Sequence, residues 1–82
     1  MRRDVTISMT GSPEATPVAH LVALANEYSS QVYLEMGHTR VNAKSIMGMM
    51  SLVLSSGALV TVEANGNDEQ QAIDALEEFL TT

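Results

Sequence analysis

Apolar and polar residues alternate along four separate stretches of the chain, which is the pattern of half-buried β-strands. In the first stretch, Val5, Ile7 and Met9 alternate with threonine and serine residues. The same alternation predicts the remaining strands at residues 31–35, 40–43 and 60–64. Residues 36–39 include a glycine and are few enough to join the second and third strands as a hairpin turn.

Two helices are predicted between these strands, the first from the spacing of its apolar residues and the second from the serine at its start. Residues 17–28 place an apolar stripe on one face, with Pro17 suited to a first turn and Thr16 as the predicted N-cap. The second helix is predicted to start at Ser45 and to run to about residue 54, because Ser55, Ser56 and Gly57 stop it.

A third helix is predicted after the turn at residues 65–67. We expect Asn67 to be its N-cap and to form a variant capping box with Gln70. Its buried stripe is expected to be Ile73, Leu76, Phe79 and Leu80. The element order is therefore β-α-β-β-α-β-α, which fits an α+β fold in which an antiparallel four-stranded sheet carries helices on one face. We expect residues 1–82 to form one domain, because a chain of this length has room for one core.

Composition narrows the function mainly by exclusion. The net charge of −6, with four lysine and arginine residues in total, argues against direct binding of nucleic acid. The absence of cysteine is consistent with a cytoplasmic protein. The N-terminal residues alternate between apolar and polar and form no apolar run, so we expect neither a signal peptide nor a membrane span. His20 and His38 have no cysteine and no clustered carboxylates around them, so we expect no metal site and no cofactor. Both are expected to be ordinary surface or partly buried histidines.

The candidate chemistry lies in residues 41–52. Ser45 would present a phosphorylatable hydroxyl at a helix start, where free N–H groups and the helix dipole favour a phosphate. Lys44 stands beside it and would help to neutralise that phosphate, unless it is simply solvated. The alternative is that Ser45 has only a structural role, because serine is a common N-cap.

The apolar residues of this segment predict a docking surface. If Met49 and Val53 face the sheet, Met47 and part of Ile46 must be exposed, because a two-turn helix cannot bury all its sides. Exposed apolar residues beside a polar switch mark interaction sites, and flexible methionine suits several partners. Methionine in a helix is otherwise usually part of a core.

The string Val-Asn-Ala-Lys-Ser-Ile-Met-Gly-Met-Met-Ser-Leu at residues 41–52 closely resembles the regulatory-serine segment of the HPr family. HPr is the phosphocarrier of the bacterial sugar phosphotransferase system, and its paralogue Crh lacks the carrier histidine. The resemblance spans nearly the whole chain, is strongest over residues 33–52 and is weakest in the first loop. It implies the open-faced β-sandwich of that family, with strand order 1-4-2-3.

The first loop departs from the family where the carrier chemistry should lie. Ser-Pro-Glu-Ala-Thr-Pro at residues 12–17 aligns with the family's Gly-Ile-His-Ala-Arg-Pro, so Glu14 takes the position of the histidine and Thr16 that of the arginine. A carboxylate does not form the labile phosphoramidate of a relay, and threonine lacks the guanidinium fork. We therefore predict no histidine phosphorelay and no catalytic residue. Glu14 is either a favourable acid at a helix start or a fixed charge in place of phosphohistidine.

The resemblance also implies partners. It makes Ser45 the acceptor for HPr kinase/phosphorylase, and a catabolite control transcription regulator the candidate reader of the modified protein. The expected partner-binding residues are Lys44, Ile46, Met47, Met50, Glu14, Thr16 and His20. The missing arginine at Thr16 would weaken regulator binding or indicate a different partner. A phosphocarrier that still relays phosphate, and an adaptor that uses no phosphate, stay as alternatives, and the oligomeric state stays open.

Overall fold

The computed structural model describes residues 1–8, 16–52 and 57–81, with the side chains of residues 16 and 17 outside that description. The elements in chain order are β1 (Arg2–Thr6), α1 (Thr16–Ala25), β2 (Gln31–Met36), β3 (Thr39–Asn42), α2 (Ile46–Met49), β4 (Leu59–Asn65) and α3 (Glu69–Leu80). This is the predicted β-α-β-β-α-β-α order.

The four strands form one antiparallel sheet in the order β1-β4-β2-β3. The two central strands pair so that Tyr33 lies opposite Glu63. The predicted hairpin is confirmed, because Met36 pairs with Thr39 across a turn whose Gly37 has a φ of 61°. The strand order 1-4-2-3 implied by the family resemblance is therefore confirmed.

The core lies between one face of this sheet and the three helices. The strands contribute alternate buried residues, which are Val5, Val32, Leu34, Val60, Val62 and Ala64. The helices cover them with Leu21, Ala25, Met49, Ala72, Ile73, Leu76 and Leu80. The predicted stripe of α3 is confirmed, with Phe79 only partly buried against the cluster. Burying each valine, leucine, isoleucine or methionine side chain of this set contributes roughly 1.5–3 kcal/mol, which makes this one-sided core the main source of stability.

The outer face of the sheet is polar and carries a network of charges. Arg2 contacts Glu35 at 3.0 Å and Glu63 at 2.7 Å, and Arg40 reaches Glu63 at 3.2 Å while stacking over Tyr33. An amide hydrogen bond from Asn65, together with both arginines, holds the pKa of Glu63 below its usual range. Such cross-strand pairs on an open face support the register of the strands and are screened by salt.

Two helices end earlier than their sequence pattern predicts. The stripe of α1 continues to Tyr28, but the helix ends at Ala25, because Glu27 and Tyr28 donate to carbonyls three residues back and tighten the last turn. The helix α2 has four residues and ends well before residue 54. There the Ser51 hydroxyl donates to the Gly48 carbonyl at 2.6 Å, which competes with regular helical bonding. Predictions for Met9 and Val53 lie outside the described residues.

The predicted capping box of α3 is wrong. The N-cap is Asp68, not Asn67, and Gln70 donates to Asp74 instead of reaching back. The Asp68 carboxylate accepts from the main-chain N–H groups of Ser29 and Ser30, each at 2.9 Å, and from the Ser30 hydroxyl. Ser30 is buried, so its polar groups require a partner inside the protein, and Asp68 supplies it. We call this contact the Ser30–Asp68 clamp.

The turn before α3 packs closely against Ser30, and Gly66 lies at the point of contact, where a side chain would overlap with Ser30. A Cβ at this position would lie 2.6 Å from Ser30 Oγ and 2.7 Å from Ser30 Cα, and the φ of Gly66 is 154°. We expect Gly66→Ala to lower the free energy of unfolding by about 3 kcal/mol, through overlap and backbone strain. Gly37→Ala is the matched control, because its φ is also positive but a Cβ there meets open space. That control should lose only about 1 kcal/mol in urea denaturation, and equal losses would contradict the close approach at Gly66.

The Ser30–Asp68 clamp makes stability depend on pH. The Ser30 hydroxyl, followed by the backbone N–H groups, lowers the pKa of Asp68 from 3.8 to about 2. Because the pKa is lower in the folded state, this stabilisation is complete above pH 3.8 and is lost as the pH falls through about 2. We expect the stability advantage of the wild type over Asp68→Asn to shrink across that range in urea denaturation. A carboxyl titration by NMR with a midpoint for Asp68 near its usual value would refute the clamp.

Candidate functional site

Ser45 lies where β3 ends and α2 begins, and it is half-buried. Its backbone is extended, its N–H donates to the Asn42 carbonyl at 3.0 Å, and its carbonyl accepts from Met49. The Ser45 Oγ accepts the N–H of Gly48 at 3.3 Å, so the predicted N-cap is confirmed. Accepting this bond uses a lone pair of the oxygen, so the cap does not engage the hydroxyl proton. The same hydroxyl can therefore cap the helix and remain a nucleophile.

The segment before Ser45 is bonded to the end of α1. The Lys44 ammonium donates to the Tyr28 carbonyl at 2.7 Å, and the Asn26 amide donates to the Lys44 carbonyl at 3.2 Å. The Asn42 side chain accepts the Lys44 N–H at 2.8 Å, which is an Asx-turn. Lys44 is thus bound through its side chain, its N–H and its carbonyl, and its ammonium group is held by the segment that follows α1.

An apolar surface lies beside Ser45, as predicted. Met47 is 82% exposed, Met50 71% and Ile46 44%, whereas Met49 is fully buried in the core. The four-residue helix cannot bury Met49 and its neighbours at once, because successive residues are about 100° apart around the axis. We call Ile46, Met47 and Met50 the methionine surface. A contiguous exposed apolar group of this kind is typical of an interaction site.

The other predicted residues lie elsewhere or outside the described residues. His20 is exposed on α1, and His38 is exposed in the hairpin turn, as expected for surface histidines. Glu14 and the side chain of Thr16 lie outside the described residues. Within residues 1–8, 16–52 and 57–81, no cluster of His, Cys, Asp or Glu could hold a metal ion. No helix in that same part of the chain is long and apolar enough to cross a membrane.

Sequence reasoning missed the contacts that hold the serine segment in place. The Asx-turn at Asn42 has a local signal, because the acceptor and the donor are two residues apart. The bonds of Lys44 to Tyr28 and Asn26 span 16 and 18 residues and have no periodic pattern that could reveal them.

Comparison with known sequences identifies the family of the whole chain. A family model described as the PTS HPr component phosphorylation site matches residues 1–82. The HPr-like protein Crh of Halalkalibacterium halodurans is 40% identical over 80 residues, which cover 98% of this chain and 95% of that protein.

Solved structures give the same result for the fold. The phosphocarrier protein HPr from Bacillus anthracis superimposes with a TM-score of 0.90 at 34% identity, covering 98% of this chain and 95% of that one. The crystal structure of Bacillus subtilis Crh, described as a dimer with a swapping domain, superimposes with a TM-score of 0.75. It is 42% identical and covers 93% of this chain and 83% of that one.

Proposed function

The chain belongs to the HPr family, and we propose that it is a regulatory phosphoprotein of the bacterial phosphotransferase system network, resembling Crh. In this proposal HPr kinase/phosphorylase phosphorylates Ser45, and the modified protein acts by protein–protein binding in carbon catabolite control. It is a phospho-acceptor and binding protein, not an enzyme, and it works in the cytoplasm without a cofactor.

The position of Ser45 beside the methionine surface is the observation that carries this proposal. The hydroxyl lies at a cap, half-buried, next to three exposed apolar side chains. A phosphate on Ser45 would add a charge of about −1.5 to −2 at a helix start, where it stabilises the cap and leaves the fold intact. The modification would therefore change the electrostatics of a docking surface whose shape is already present.

The small number of positive charges in the chain supports binding of the phosphate by a cationic residue of a partner protein. The chain has four lysine and arginine residues, and Arg2, Arg3 and Arg40 form ion pairs with carboxylates of the strands and of α3. A phosphate on Ser45 would thus find its arginine or lysine on another protein, which we propose to be a catabolite control transcription regulator. The proposed partner-binding residues are Lys44, Ile46, Met47, Met50, Glu14, Thr16 and His20.

A phosphocarrier function is the second candidate, because the HPr of Bacillus anthracis is itself a phosphocarrier protein. We propose that this chain has lost that activity, since Glu14 stands at the histidine position of the aligned motif and cannot form a phosphoramidate. An acid-labile phosphoprotein formed from enzyme I and phosphoenolpyruvate would support the phosphocarrier instead.

Phosphorylation is tested by mass. Incubation with HPr kinase/phosphorylase and ATP should add the mass of one phosphate to the intact protein, and Ser45→Ala should stay unmodified. An authentic HPr serves as the positive control for the kinase. If the kinase modifies that HPr and leaves this protein unchanged, the proposed switch is wrong and the phosphate-independent adaptor becomes the better account.

The docking role of the methionine surface is tested by binding. In the phosphorylated protein, Met47→Ala should weaken binding of the regulator about tenfold or more, because an exposed anchor residue of an interface typically costs 1–2 kcal/mol or more. Leu59→Ala is the matched control, because Leu59 is also apolar and 59% exposed but lies on β4. Isothermal titration calorimetry should show wild-type affinity for that control. Equal losses in both variants, or none in Met47→Ala, would contradict the proposed surface.

A further inference from the structure

The segment that follows α1, residues 26–30, has no basic residue of its own, and Lys44 supplies a cation to it from another part of the chain. The last carbonyls of a helix have no partner within the helix and carry negative partial charge. The last turn of α1 contains no basic residue. The Lys44 ammonium reaches the Tyr28 carbonyl, which follows that turn, at 2.7 Å. Tyr28 lies beyond Ala25, the last residue of α1, so Lys44 binds the segment that follows the helix.

Asn26 ties the same two parts of the chain together a second time. Its amide donates to the Val22 carbonyl inside α1 at 2.8 Å and to the Lys44 carbonyl at 3.2 Å. The residue after Lys44 is Ser45, whose N–H is bound by the Asn42 carbonyl. Two independent hydrogen bonds therefore fix the main chain immediately before the serine relative to α1.

This arrangement does not suit a lysine that neutralises a phosphate on Ser45. Such a lysine would have to leave the Tyr28 carbonyl, whereas the bond that it makes there is short and charge-assisted. Its half-buried side chain already has this partner without the phosphate.

We propose that Lys44 is a positioning residue for Ser45, acting with Asn26, and that it does not serve as the counter-ion of the phosphate. This inference rests on the proposed function, because it concerns how the acceptor serine is presented to the kinase. Lys44 and Asn26 hold residues 42–45 against the end of α1, so that the hydroxyl meets the kinase in one geometry. The phosphate then stays available to a cation of the partner.

Three variants and one control separate positioning from neutralisation. Lys44→Met and Asn26→Ala should each lower kcat/KM for phosphorylation of Ser45 about tenfold, since each removes a hydrogen bond that orders the acceptor segment. Lys44→Arg should retain most of the wild-type value, because its guanidinium still donates to a carbonyl. His38→Ala is the control, because His38 is exposed in the hairpin turn, is not a proposed partner-binding residue and makes none of these contacts. It should leave amide exchange at residues 44 and 45 unchanged.

The phosphate itself reports the nearby charge. In the phosphorylated proteins, ³¹P NMR should give the same phosphoserine pKa, about 6, for the wild type and for Lys44→Met. A counter-ion role predicts instead that this pKa rises by about half a unit or more when the lysine is removed. That rise, or an unchanged kcat/KM in both Lys44→Met and Asn26→Ala, would overturn the inference.

Amide hydrogen exchange tests the positioning role of Lys44 and Asn26 without the kinase, and therefore independently of the proposed function. The Ser45 amide should exchange about tenfold faster in Lys44→Met and in Asn26→Ala, with wild-type circular dichroism showing that both are folded. If the wild type is not phosphorylated at all, the proposed function fails, and faster exchange still supports the anchoring contact. Unchanged exchange in both variants overturns the anchoring, whatever the kinase does.

Discussion

The apolar face of the four-stranded sheet is the constraint on which the rest of the structure depends. Strand residues such as Leu34 and Val62 are fully buried, so three helices must lie over them. The helix α2 has four residues and is too short to be stable alone, so it exists because Met49 is held in that core. The same anchoring turns Met47 and Met50 outwards. The exposed methionine surface is thus a consequence of core burial.

The segment between α1 and β2 connects the parts of the fold that carry the proposed switch. Its Tyr28 carbonyl accepts the Lys44 ammonium, and its Ser29 and Ser30 donate to Asp68 at the start of α3. One loop therefore supports both the approach to Ser45 and the N-terminal end of α3. These are polar contacts made across 16 to 39 residues of sequence. They orient elements that the apolar core alone would hold only approximately.

All four lysine and arginine side chains are engaged in contacts within the protein. The arginines are bound in ion pairs on the open face of the sheet and against α3, and Lys44 is bound to the Tyr28 carbonyl after α1. In the proposed function, phosphorylation of Ser45 adds charge to a protein of net charge −6 whose own cations are already in use. A basic partner surface is the natural reader of such a signal.

Local patterns in the sequence determined the elements and the exposure of the site, because period-2 and helical spacing report which side chains must be buried. The four strands, the cap at Ser45 and the opposite exposures of Met47 and Met49 all follow from such patterns. The order 1-4-2-3 does not follow from alternation, and it came from the family resemblance. The tertiary structure decided where polar side chains bind. The Asp68 carboxylate accepts from Ser29 and Ser30 and not from its own helix, and Lys44 binds Tyr28. A hydrogen bond of this kind depends on which distant segment the folded core brings within about 3 Å.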